Sequence, residues 1–412
     1  MRYKGGSQTS PRDRPMSSDA IVPLADLPAW IARQVTETND GEAVVADVGR
    51  SLAAAGIPVR LVGFGTRSLS TVHRGVLLSW RPGSDEVEHV FALHGDTELE
   101  RSPIGAAIDS QRSFVRWNLA RDAECDTLPA LVRLREEGCS EYLLDIVNFP
   151  PGTDLSGVGL FYATDRPGGF TAADVAVLLG LREVFSLAVL RFSLSYALQN
   201  LLEAYIGPRT APLVLNGRVR RGEGELISAA ILLADLKGFT ALADRADPHR
   251  LVGWLDEHLD ALGREVAHYG GEIFKFTGDG FIAAFPAEDA GSIPCAACTA
   301  ALAAARAGLA HNRALEAPRR GTGQPWLAAD LALHYGQVVY GNIGTPDRLD
   351  FTAIGRAVNE ASRIEALCDL TGRNLLMSDS FARRCPDDLI DLGSFPLRGV
   401  ARPQRLWTVA EA

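Results

Sequence analysis

The chain has 412 residues, 47% of them hydrophobic and 22% charged, with a net charge of −10. That length exceeds what one hydrophobic core holds and points to two or three domains of ordinary globular composition. Residues 226–412 carry 23 acids and 18 bases, leaving 28 and 23 for residues 1–225, so neither half offers the basic face of a nucleic-acid binder.

No apolar run reaches the roughly 18–20 residues needed to span a bilayer; the best candidate, 175–190, is interrupted by Arg182 and Glu183. Six scattered cysteines do not make a disulfide framework and fit a reducing, cytoplasmic setting. Cys295-x-x-Cys298 falls in an Ala-rich helical stretch with no second pair. Of the 41 basic residues only Lys4, Lys237 and Lys275 are lysine.

In chain order, residues 1–18 read as a disordered tail. A single amphipathic helical pattern runs from Leu27 to about Gly56 and ends at Gly56-Ile-Pro58. Short apolar stretches at 59–64, 76–80 and 87–93, separated by turn residues, predict antiparallel strands of one sheet. Helices are expected at 103–110 and 128–137, and strands at 142–149 and 156–164. After Arg166-Pro-Gly-Gly169, Thr171 and Asp174 are spaced to cap a long helix over 171–206. Leu187, Leu190, Leu194, Ala197, Leu201 and Ala204 repeat at coiled-coil spacing, the seam of a dimer stalk or of a helix packed on its own domain. Residues 207–225, with the basic cluster Arg218-Val-Arg-Arg221, read as a linker. The order of elements over 20–170, closing with GVGLFYATDRPGGFTAADVAVLLGL, resembles a GAF-type sensor domain. It implies an unidentified small-molecule or protein input.

Three segments of the second half suit phosphate chemistry. The apolar run 229–233 predicts a buried strand that delivers Asp235, followed by Lys237-Gly-Phe-Thr240. A carboxylate at a strand end can take Mg²⁺, and backbone N–H groups near a helix start can face phosphate oxygens. In YGGEIFKFTGDGFIAAFP, strands at 272–276 and 281–285 predict a hairpin with Asp279 at its tip and Lys275 on one strand face. Two neighbouring carboxylates could hold a metal pair. In LDFTAIGRAVNEASRIEALC, Asn359 and Arg363 share one helix face. Each feature alone has a plainer reading: an acid after a strand, an Asp-Gly turn, a solvated helix face.

In combination, order and spacing resemble the catalytic domain of class III nucleotidyl cyclases, over about 226–412. The resemblance implies a ferredoxin-like, palm-type α+β sandwich, so the whole chain is expected to be α+β. It matches Asp235, Leu236 and Asp279 to the metal positions, for two Mg²⁺ or Mn²⁺ ions. Lys275 and Thr352 match the base-reading positions, Asn359 the ribose-orienting asparagine and Arg363 the transition-state arginine. Gly238, Phe239 and Thr240 fall at the phosphate turn, and Arg398 near the terminal phosphates. Arg356 stands where many relatives have an acid or a small polar residue.

The activity implied by the resemblance is conversion of ATP to 3′,5′-cyclic AMP and pyrophosphate. Lys275 and Thr352 can serve adenine's ring nitrogen and amino group, whereas guanylate cyclases typically place Glu and a small Cys or Ser there. Since the family takes metal aspartates from one chain and the other groups from its partner, a homodimer with shared sites is implied. The alternatives are a guanylate cyclase and a non-catalytic nucleotide-sensing module. GGEIF at 270–274 is superficially like the diguanylate cyclase signature, but the Asn359/Arg363 helix has no counterpart in that family.

Overall fold

The computed structural model describes residues 21–410 apart from 85, 96–99, 151, 153, 154, 289, 290 and 401. The expected tail at 1–18 lies outside the described residues. The chain divides into two compact units, Met1–Leu201 and Leu202–Ala412.

The first unit begins with two helices, α1 (Leu27–Glu37) and α2 (Gly41–Ala54), where the sequence predicts one. Asp40 makes the break: its side chain accepts from the Ala43 N–H and caps α2, satisfying a donor that a continuous helix would satisfy internally. Strands β1 (Leu61–Arg67), β2 (His73–Trp80) and β3 (Glu88–Leu93) follow, then α3 (Pro103–Asp109), β4 (Phe114–Asn118), α4 (Pro129–Glu136), β5 (Glu141–Asn148) and β6 (Gly157–Thr164). They form an antiparallel sheet in the order β3-β2-β1-β6-β5-β4.

β4 is missing from the sequence expectation, being only five residues long with Arg116 at its centre. Both faces of the sheet are covered. On β6, Val158, Leu160 and Tyr162 pack toward α1, α2 and the C-terminal helices, while Phe161 and Ala163 pack toward α3 and α4. The expected long helix is α5 (Ala172–Gly180) and α6 (Arg182–Ile206), parted at Leu181; Thr171 and Asp174 form the capping box reciprocally. On α6, Leu187 and Leu194 are exposed but Ala197 is buried, so the heptad seam is only partly open.

In the second unit, α7 (Thr210–Leu215) lies within the expected linker, and β7 (Gly224–Leu236) begins before it ends. Then come α8 (Phe239–Ala243), α9 (Pro248–His268), β8 (Glu272–Phe276), β9 (Phe281–Pro286), α10 (Ala296–Ala314), α11 (Glu316–Thr322), β10 (Ala329–Thr345) and β11 (Arg348–Ile354). The unit closes with α12 (Arg356–Glu365), α13 (Cys368–Thr371), β12 (Leu375–Ser378), α14 (Asp379–Ala382), β13 (Leu389–Phe395) and β14 (Gln404–Val409). The sheet order is β13-β14-β12-β10-β7-β9-β8, with β11 paired to β10. Among the described residues only β10 and β12 pair in parallel.

Strand alternation on β7 positions the site. Ala230, Leu232, Ala234 and Leu236 pack into the core that includes α9 and α10, whereas Ala229, Ile231 and Leu233 pack with Ala357 and Ala361 of α12. A period of two therefore turns Asp235 to the α12 face. Cys298 is fully buried in the first of these cores, and burial pushes its thiol pKa up, which keeps it an inert core group.

Candidate active site

Asp235 and Asp279 come together because Gly280 has no side chain. Phe276 pairs with Phe281, and the Thr277 N–H donates to the Gly280 carbonyl at 2.9 Å. A Cβ on Gly280 would overlap the Ala234 carbonyl and stand 3.0 Å from Asp235 Oδ1. Glycine thus lets the hairpin tip close on the end of β7. Burial, then the charges of Asp279 and Asp330, push Asp235 up to about 6.

Asp330 is the ladder partner of Asp235 on β10. Lys237 takes up part of this charge: its Nζ stands 2.8 Å from Asp330 and 2.7 Å from Asp369. Burial works against the lysine's charge, yet the two carboxylates hold its pKa well above the usual value. Lys237 is thus a strut joining β10 to α13. Glu365, at the end of α12, is pushed up to about 7 by burial and then by Asp235, Asp330 and Asp369.

The charges acting on Asp235 are all negative. Two adjacent carboxylates with no neutralising partner among the described residues suit a hard divalent cation with oxygen ligands. The Leu236 side chain is buried, so only its backbone is available there. Gly238 takes φ 75° ahead of the five-residue α8; Gly238 and Thr240 are exposed, and Phe239 leans on the core.

A second polar group forms on β8 and β11. Lys275 Nζ donates to Asp350 Oδ2 at 3.0 Å. On β11, Phe351 and Ala353 are buried, and the alternation turns Asp350 and Thr352 outward together. Asp350 is a site neighbour the sequence reading missed, although its place two residues before Thr352 was a usable cue.

On α12, Asn359 is exposed and Arg363 half-buried. The Arg363 guanidinium lies against the Gly399 turn, next to exposed Arg398. Glu360 was also missed. Its Oε1 accepts from Arg356 Nε at 2.6 Å, and its Oε2 stands 3.3 Å from buried His334 Nε2 on β10. Arg356 thereby acquires a place in the ties that fix α12 to the sheet. One chain presents two groups of candidates: Asp279 turns to Asp235, while Lys275, four residues earlier, turns to Asp350.

Comparison with known proteins bears on this geometry. The family of adenylate and guanylate cyclase catalytic domains matches residues 225–383. An adenylate cyclase of Anabaena cylindrica is 34% identical over 171 residues, covering 41% of this chain and 32% of that protein. Adenylate cyclase 1 of Rhizobium meliloti (strain 1021) is 32% identical over 159 residues, 38% of this chain and 23% of that protein. The chain therefore spans a third or less of the length of these two relatives. Among solved structures, the adenylyl cyclase CyaB from P. aeruginosa is 26% identical, covering 46% of this chain and 97% of that one, with a TM-score of 0.42. The guanylyl cyclase Cya2 is 25% identical, covering 45% and 92%, with a TM-score of 0.40. Residues 225–383 are thus similar to the catalytic domains of the adenylate and guanylate cyclase family.

Proposed function

We propose that this domain is an adenylate cyclase, converting ATP to 3′,5′-cyclic AMP and pyrophosphate under control of the N-terminal unit. The observation that carries the choice of base is the Lys275–Asp350–Thr352 face. An ammonium donor beside outward-turned acceptors matches adenine, whose edge offers a ring-nitrogen acceptor and an amino donor.

Asp235 and Asp279, with the backbone of Leu236, would hold two Mg²⁺ or Mn²⁺ ions. Bound there, the metals supply acidification of the 3′-hydroxyl and charge neutralisation of the triphosphate. Arg363 stabilises negative charge developing on the transferred phosphoryl group, and Asn359 orients the ribose. Backbone groups of Gly238, Phe239 and Thr240, together with Arg398, meet the remaining phosphates.

The two groups of candidates on one chain support a head-to-tail homodimer in which each site takes its carboxylates from one copy and its Lys275, Asn359 and Arg363 from the other. Exposed Leu226, Val339 and Ile354 form one row across β7, β10 and β11, an apolar surface that a second copy would cover. The N-terminal unit, with its GAF-like order of elements, would receive the regulatory input.

The test is to incubate the purified chain with ATP and Mg²⁺ or Mn²⁺, with GTP in parallel. Cyclic AMP as the main product is expected. The GTP arm matters because the Asp350 carboxylate could also accept from guanine's N–H groups. Cyclic GMP as the main product would reverse the base assignment, and nucleotide binding without turnover would indicate a sensing module.

A further inference from the structure

Glu272 opens β8, three residues before Lys275, and is buried at 3% exposure. Its Oε1 accepts from the backbone N–H groups of Arg209 at 3.1 Å and Thr210 at 3.4 Å, where α7 begins. Its Oε2 accepts from Tyr340 Oη at 3.4 Å, and the Thr210 and Tyr340 hydroxyls hydrogen-bond to each other. Burial pushes the Glu272 carboxyl upward, and these donors oppose the rise without cancelling it. Gly207 is built around the same carboxyl. Its φ is 92°, and a methyl there would overlap Glu272 Oε1.

The anchor continues toward the base-reading face. Tyr340 stacks on Phe274 with ring centroids 4.8 Å apart and meets Phe351 edge-on at 4.7 Å. Phe274 immediately precedes Lys275, and Phe351 lies between Asp350 and Thr352. A buried carboxylate is seldom a better core filler than an apolar side chain of similar size. What this one adds is direction, since two of its donors come from a single short segment, and that segment continues directly from α6.

We propose that Glu272 is a positioning residue that ties segment 207–215 to strand β8, so that a displacement of that segment changes how Lys275 and β11 present themselves to the base. The kinetic part of this inference rests on the adenylate cyclase function proposed for the domain. The anchor itself does not.

The experiment uses the full chain with Gly207→Ala, which displaces the carboxyl, Tyr340→Phe, which removes only the hydroxyl, and Glu272→Gln as the conservative control. Gly207→Ala is expected to lower the ATP-over-GTP ratio of kcat/KM by about tenfold, the equivalent of one hydrogen bond. Tyr340→Phe should lower it less, and Glu272→Gln should largely retain it, with Mn²⁺ affinity unchanged in all three. Amide hydrogen exchange over 272–276 should quicken in Gly207→Ala. A uniform fall in kcat with selectivity and exchange both unchanged would overturn the proposal, leaving Glu272 a packing residue. Should wild type turn over neither nucleotide, the cyclase reading fails, yet the exchange comparison still decides the anchor: faster exchange over 272–276 supports it and unchanged exchange overturns it. If Gly207→Ala does not fold, Tyr340→Phe is read against the same two outcomes.

Discussion

Both units pair most of their buried carboxylates, and the half-buried Asp235 of the C-terminal unit stands apart from them. In the N-terminal unit, Glu141 accepts from Arg116 Nε at 2.6 Å and from the Phe170 N–H at 2.6 Å. Asp174 is held below the usual carboxylate range: burial opposes this, but Thr171 and Arg166 outweigh it. Asp145 has Arg182 Nε at 3.0 Å. Burial raises Asp145 against the opposing charge of Arg182, whereas in the C-terminal unit the charges of Asp279 and Asp330 add to burial in raising Asp235. A paired buried acid is accounted for by the fold. One left against its own kind is a cost that a bound cation would remove, and this contrast separates structural acids from candidate metal ligands.

The largest effect should come from breaking the unpaired set. Asp235→Ala or Asp279→Ala should reduce cyclase turnover by about 10²–10³-fold or more, as loss of a group that stabilises transition-state charge does, with little loss of thermal stability. Glu141→Ala should do the reverse. It removes the acceptor of the Phe170 N–H and of Arg116 Nε, costing roughly 1–3 kcal/mol, and lowers Tm without touching the candidate catalytic groups. Turnover and melting measured on all three variants check the contrast.

Base selection ranks next. Lys275→Glu combined with Thr352→Cys should move preference from ATP toward GTP, read as the ratio of kcat/KM for the two nucleotides. Asp350→Ala, which releases the ammonium from its 3.0 Å partner, should shift that ratio less.

The smallest effect is a change in stability with pH. In the metal-free protein Asp235 is raised from 3.8 to about 6. A raised folded-state pKa means the stabilising contribution is fully present below the unfolded value and lost as pH rises through the folded one. Metal-free wild type should therefore lose stability between about pH 4 and 6 relative to Asp235→Asn, whose Tm at pH 7 should be higher by a few degrees. Wild type should bind Mn²⁺ more weakly as pH falls through about 6, and Asp235→Asn weakly at every pH; calorimetry across that range checks both.

The elements that carry the candidates were legible because each has a strong local cue. The apolar run before Asp235 could only be a buried strand, Asp279-Gly280 has the composition of a hairpin turn, and the α12 pattern is periodic. What escaped depends on neighbours distant in sequence. Asp330 and Glu365 matter through their charge on Asp235, and Glu360 through His334 on another strand. Lys237, without a role in the sequence, bridges Asp330 and Asp369. The break between α1 and α2 turned on a single cap that competes with an unbroken apolar periodicity. The short α7 hid in a stretch whose glycines, prolines and arginines look like linker, yet its first residue Thr210 and the preceding Arg209 supply two of the donors to Glu272.

The most direct test of the central claim, that unpaired carboxylates on one copy complete a site with Asn359 and Arg363 of another, is complementation. Asp235→Ala and Asn359→Ala, each inactive alone, would be mixed in equal amounts and allowed to exchange subunits, and cyclic AMP formation measured. Random pairing leaves one intact site in half of the dimers, so recovery of about a quarter of wild-type activity is predicted. No recovery, with heterodimers demonstrably formed, would contradict the shared site.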